Sequence, residues 1–327
     1  MRGIGGSRAV FVTPSLRAAT GPDYKTLPEG SSVNSHRKGI VAYLLIAFGL
    51  AWMGFEAIYR AKALSPVALL APTALSAFAP AIACFVVRKW ITREGFADAG
   101  LRPHLRKWPY YLVAWLLPVV VMACVVVLAP VFHAGHADFS LARGSQYRAS
   151  IGAPLAAWAP RNLVVYLCIL LVEAPFAALV LFGEEFGWRG YLQKRLFPAR
   201  PVLSAVGTGI IWGYWHFPAA IRGYGYPDHP VIGALIMYPI FGIVLSIIYG
   251  WLVQKTGSIW SSSVAHAANN AVGGGLTVML FGGGASFLYA SMEGMLAFLP
   301  LGALSAWIVF TGQLKPGTVE TSDGLAR

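Results

Sequence analysis

Long stretches of nearly uninterrupted apolar residues alternate with shorter polar clusters along this 327-residue chain. A helix needs about 20 largely apolar residues to cross about 30 Å of hydrocarbon. Eight stretches fit: 40–59, 67–87, 109–132, 163–182, 202–220, 231–253, 259–281 and 287–310. The pattern predicts an all-α fold, a polytopic membrane bundle of about eight transmembrane helices filling a single domain over 39–312. Tails at 1–38 and 313–327 flank it, and both are expected to be disordered and cytoplasmic. The first is rich in Gly, Ser, Pro and Arg and lacks the short apolar core of a cleaved signal peptide. Trp108, Tyr110 and Tyr111 precede the third span as an interfacial aromatic belt would. Gly273–Gly275 and Gly282–Gly284 punctuate the seventh span and its exit, which suits close helix packing or a broken helix lining a cavity.

Composition agrees with the pattern. Hydrophobic residues make up 57% and charged residues 12%, with a mean hydropathy of +0.62, so the chain cannot be mostly solvated surface. The net charge of +12 invites a nucleic-acid reading until its distribution is followed. Of the 25 Lys and Arg, 19 fall on one side of the predicted spans and 6 on the other. The positive-inside rule then places both termini in the cytoplasm of an integral protein, with the plasma (inner) membrane expected and no nucleic-acid partner. The basic loop 88–107 is read as setting topology, with contact to anionic headgroups as the alternative. Cys84, Cys124 and Cys168 fall within spans without paired spacing, so neither a disulfide framework nor a zinc knuckle is supported. His133, His136 and Asp138 in the longest connection, 133–162, are read as solvated loop residues.

The candidate chemistry sits where the fourth span ends. Gly183-Glu184-Glu185-Phe186-Gly187-Trp188-Arg189 places two adjacent carboxylates at the membrane. Ionisable groups there are costly unless paired or hydrated, and so mark function by default. On a helix Glu185 and Arg189 stand at i, i+4 in the favourable acid-first order, whereas Glu184 points about 100° away. Arg189 therefore most naturally neutralises Glu185, which leaves Glu184 free to face a cavity and act on water; the alternative, equally compatible with this motif alone, is a cytoplasmic helix end with ordinary interfacial charges. His216 lies among aromatics in Trp212-Gly213-Tyr214-Trp215-His216-Phe217-Pro218, near the end of the fifth span. His266 and Asn270 share a face of the seventh span, among small residues that let a substrate approach. Asn270 can donate to a developing oxyanion; His266 can do the same or ligate a metal.

The ordered set Glu-Glu-xxx-Arg, aromatic-xxx-His, His-xxx-Asn resembles the intramembrane CAAX-protease and bacteriocin-processing (Abi, CPBP) family, over roughly residues 160–285. The resemblance implies an intramembrane endopeptidase that hydrolyses a peptide bond of a membrane-associated, CAAX-type prenylated substrate close to the cytoplasmic leaflet. It implies Glu184 as the water-activating carboxylate, Glu185 with Arg189 as its support, and His216 beside the catalytic water. It also implies His266 and Asn270 as oxyanion donors. The family's second motif usually begins with Phe where this chain has Trp212, which bears on pocket shape. Both metallo and metal-free glutamate mechanisms are described for this family. No cofactor-binding residues are read; a divalent metal such as zinc stays open, its ligands then being Glu184, His216 and His266.

Two other function classes compete. Glu56, Glu173 and Glu293 also lie in or beside spans and would suit the proton path of a coupled transporter; a non-catalytic regulator of the same fold is the other. Depth is a further test, since His216 lies about 21 Å into a span that starts at the cytoplasmic side, whereas Glu184 ends the preceding one. The two meet only if the fourth helix extends past Arg189, the fifth is tilted or starts later, or both; the fourth helix is expected to run on to about Leu192.

Overall fold

A computed structural model describes residues 29–61, 66–151 and 162–316. Among these the chain is helical with no strand. The helices are α1 (Glu29–Ala61), α2 (Leu70–Val86), α3 (Trp108–Val131), α4 (Ala142–Ser150), α5 (Leu163–Gly187), α6 (Gln193–Arg195), α7 (Pro201–Trp215), α8 (Phe217–Ala220), α9 (Pro230–Ile232), α10 (Tyr238–Thr256), α11 (Ile259–Ala268), α12 (Gly275–Phe281) and α13 (Phe298–Phe310). The first seven predicted spans coincide largely with helix, and the eighth does so only from Phe298. Among the described residues five helices are long and apolar enough to cross a membrane: Ser35–Ala61, Leu70–Ile91, Leu105–Val131, Leu163–Arg195 and Pro230–Thr256. The outward faces of the bundle are apolar, with Val164, Val172, Phe176 and Leu179 of α5 all at least 60% exposed. A water-facing surface would not carry such a stripe; lipid accepts it.

Several boundaries differ from expectation. Helix α1 begins at Glu29, inside the stretch 1–38 expected to be disordered, because after Pro28 no proline interrupts it; residues 1–28 lie outside the described residues. The fourth span does not stop at 182. A π-helical turn, Trp188–Leu192, carries α5 into α6, and helix persists to Arg195. The eighth span begins at Phe298 and not at 287, since Gly282–Gly284, Ser286 and Gly294 favour the turns that occupy 282–297. The expected tail 313–327 is described as far as residue 316, where Lys315 and Gln254 exchange hydrogen bonds of 2.9 and 3.0 Å.

Helix α5 explains its own sequence. Its buried positions run Tyr166, Leu170, Ala174, Ala178, one stripe at i, i+4; from Gly183 to Leu192 every residue is buried. The helix thus passes from the lipid face into the centre of the bundle, where polar side chains can find partners. Gly187 permits this, because a Cβ there would stand 2.4 Å from Pro80 of α2. On the other side, α7 packs on α10 so closely that a Cβ on Gly213 would meet the Pro239 backbone at 2.5 Å.

The basic connections gather at one end. Arg88 is buried and grips Asp98 through two hydrogen bonds, 2.7 and 3.0 Å, while donating to the Gly190 carbonyl of the π-helical turn at 3.0 Å. Arg195 reaches Glu94 and Asp98 at 3.0 and 3.2 Å. Arg88 is therefore a clasp on the end of α5, whereas Arg93, Arg102, Arg106 and Lys107 are exposed. Burial alone would raise the Asp98 carboxyl, but the Arg88 hydrogen bond and the Arg195 charge hold it down at about 2.

Candidate active site

A cavity of about 360 Å³ lies inside the bundle, a volume ordinary for a small-molecule or peptide side-chain site. Glu184, His216, His266 and Asn270 all line it, so the four residues proposed from sequence as catalytic share one space. The longer fourth helix resolves the depth problem. Glu184 lies about 17 Å from the Arg195 end of its helix and His216 about 22 Å from the start of α7, so both reach the interior from the same end.

Glu184 and Glu185 part as their helical angles require. Glu185 is wholly enclosed and its Oε1 accepts from Arg189 Nη1 at 2.8 Å and from His266 Nδ1 at 3.0 Å. Arg189 also donates to Ser246 Oγ of α10 at 3.0 Å, and its guanidinium lies over Trp212 and Tyr249, 4.4 and 4.9 Å from their ring centres. This one cation therefore ties α5 to α7 and α10. Glu184, 7% exposed, faces the cavity and accepts a hydrogen bond from the indole of Trp212, Nε1 to Oε2 at 3.0 Å. Among the described residues no Lys or Arg lines the cavity with it.

Hydrogen bonding fixes both histidines. The Trp212 carbonyl can only accept, so His216 Nδ1, 2.9 Å away, carries the proton and donates. A carboxylate likewise only accepts, so His266 donates from Nδ1 to Glu185. In each ring Nε2 is the nitrogen left for other partners. Trp212 sits between them, its ring centre 5.9 Å from His216 and 5.1 Å from His266.

The α11 helix gives way at Asn269 to a π-helical turn, Asn269–Gly274, before α12 resumes. Such a turn shifts the register by a residue, and the consequence is that Asn269 as well as Asn270 lines the cavity. Asn269 is buried and donates to Asn270 Oδ1 at 3.2 Å, orienting that amide; Asn270 stands on the exposed side. Counting i, i+4 from His266 finds Asn270 and passes over Asn269. Trp212 was read only as an aromatic wall, although its place four residues before His216 puts both on one face. Tyr224 and Tyr238 had no local signal at all.

As to a metal, no group of three or more His, Cys, Asp or Glu side chains is placed to hold one among the described residues. Glu184, His216 and His266 thus share a cavity without being placed as a ligand cluster. The carboxylates of the transporter reading do not form a path. Glu56 is bonded to Arg60 and Arg222, Glu173 is exposed on the outer face of α5, and only Glu293 lines the cavity.

The cavity extends in one direction. Phe55 and Ile58 near the end of α1, Thr73 at the start of α2, Tyr224 after α8 and Glu293 before α13 line it. None of the basic connections at the opposite end contributes.

No curated protein matches the chain. Residues 160–272 match the family model for the type II CAAX prenyl endopeptidase Rce1-like proteins. That segment, about a third of the chain, contains Glu184, Glu185, Arg189, His216, His266 and Asn270, so the core that carries the candidate site is similar to the type II CAAX prenyl endopeptidase family.

Proposed function

We propose that the chain is an intramembrane endopeptidase whose nucleophile is a water activated by Glu184. The observation that carries this reading is a carboxylate enclosed in a cavity of side-chain size that no described Lys or Arg lines, with two histidines and two asparagines lining the same space. Glu184 takes a proton from the water as its oxygen attacks the scissile carbonyl carbon. His216, fixed through Nδ1, positions that water through Nε2. The carbonyl becomes an oxyanion that accepts a hydrogen bond from the Asn270 amide, and His266, held through Nδ1 by Glu185, stands beside it. Glu184 returns the proton to the leaving amine as the C–N bond breaks. Glu185 and Arg189 support this arrangement and touch no substrate.

The substrate is a membrane-associated protein or peptide, and no step is routed through a metal. The charge asymmetry supports an orientation with the basic end and both termini in the cytoplasm, with the plasma membrane as location. In that orientation the cavity reaches toward the non-cytoplasmic side, which shifts the expected site of cleavage away from the cytoplasmic leaflet.

The test is cleavage of a fluorogenic peptide library by purified protein in lipid nanodiscs. Glu184→Gln is expected to lower turnover by roughly 10²–10⁴-fold, the contribution of a general base, with unchanged thermal unfolding, and wild-type cleavage is expected to persist in chelator. Equal turnover by wild type and Glu184→Gln would remove the mechanism.

A further inference from the structure

A second carboxylate lies in the cavity, and the mechanism does not use it. Glu293 comes from the irregular segment 282–297, and its Oε2 accepts from the hydroxyl of Tyr238 at 3.2 Å. Tyr226 donates to the Glu293 backbone carbonyl, which anchors that segment on the loop after α8. The Tyr238 ring stacks on His216, 5.0 Å between centres and 14° between planes, and on its other neighbour Tyr224 at 6.2 Å and 7°. A continuous array therefore runs from Glu184 through Trp212, His216 and Tyr238 to Glu293.

The surroundings are shaped around this carboxylate. Gly225 has φ +75°, and a Cβ on it would stand 2.3 Å from Glu293 Oε2 and 2.4 Å from the Tyr238 hydroxyl. Only glycine fits a left-handed turn pressed against both groups. Among the described residues no Lys or Arg lines the cavity beside it. The basic residue of the neighbouring loop, Arg222, is held by Glu56 at 2.7 Å and lies over Tyr59 at 4.4 Å. Tyr224 is 56% exposed and offers a ring face beside the carboxylate. A carboxylate that shares its end of the cavity with the exposed Tyr224 ring is complementary to a cation, which gains both the ion pair and the ring quadrupole.

We propose that Glu293, Tyr238 and Tyr224 form a subsite that binds a cationic side chain, Lys or Arg, of the substrate. The subsite stands at the end of the cavity away from the basic connections and rests on the protease reading of that cavity. It makes a basic residue near the scissile bond a determinant of specificity.

Paired peptides carrying lysine or its uncharged isostere norleucine at each position around the cleavage site test the subsite with protein in nanodiscs. Wild type is expected to favour lysine by about ten-fold in kcat/KM at one position, and Glu293→Gln to bring that ratio close to one. Tyr224→Leu, which leaves the carboxylate in place, is expected to lower the same ratio, so the proposal survives a misfolded Glu293→Gln. Absence of a lysine preference in wild type, or its persistence in a folded Glu293→Gln, would overturn the subsite. If wild type cleaves none of the peptides, the protease reading fails instead, and the subsite is judged by binding of the same pairs followed by fluorescence anisotropy. Tighter binding of lysine peptides that Glu293→Gln abolishes supports it; equal binding of the pairs rejects it.

Discussion

Two neighbouring glutamates at residue scale show how one helical step separates structure from chemistry. Glu185 and Arg189 are 0% and 1% exposed, and each leaves a buried charge if the other is removed. Glu185→Ala or Arg189→Ala is expected to cost about 3–5 kcal/mol, read as a fall in unfolding temperature in detergent. Glu184→Gln lacks that penalty because no ion pair is broken. Trp212→Phe tests the cavity side. It keeps a ring against both histidines but removes the N–H that Glu184 accepts, and a hydrogen bond to a charged group contributes about 1.5–3 kcal/mol. Peptide kcat/KM is expected to fall roughly ten- to hundred-fold, with stability changed much less than by Arg189→Ala. The Glu185–Arg189 pairing was legible as an i, i+4 spacing. The bond from His266 was not, since 81 residues separate the partners and only packing of α11 on α5 joins them.

At the scale of elements, the site depends on π-helical turns and close helix approaches. Trp188–Leu192 carries Arg189, and Asn269–Gly274 carries both asparagines. A hydrophobic pattern locates a span to within a few residues but does not register one inserted residue in the hydrogen-bond ladder, so Asn269 was missed. Gly187→Val is expected to destabilise by about 1–3 kcal/mol through overpacking against Pro80. At the basic end the Arg88–Asp98 clasp makes an acid-side prediction. Asp98 is held at about 2, against about 3.9 when unfolded. A depressed carboxyl contributes stability that is present above the unfolded value and lost as pH falls through the folded one. Acid titration of unfolding temperature is expected to show a loss between about pH 4 and 2 that Asp98→Asn lacks.

At the scale of the whole molecule, the cavity and the basic connections occupy opposite ends, which turns orientation into a functional statement. With the basic end cytoplasmic, a membrane-impermeant maleimide added outside intact cells is expected to label a cysteine at Tyr224, and to label one at Lys107 only after lysis. The reverse pattern would invert the proposed orientation. Sequence alone determined the all-α membrane fold, the approximate spans, the charge asymmetry and the residues of the three motifs. These depend on composition and local spacing, because hydrocarbon demands apolar length and a helix repeats every few residues. Only the tertiary structure decided which carboxylate meets which histidine, that Trp212 donates to Glu184, and that Glu293 shares the cavity. Those contacts join residues 28 to 81 positions apart or bring a non-helical segment inward, and no periodicity along the chain encodes a distance between helices.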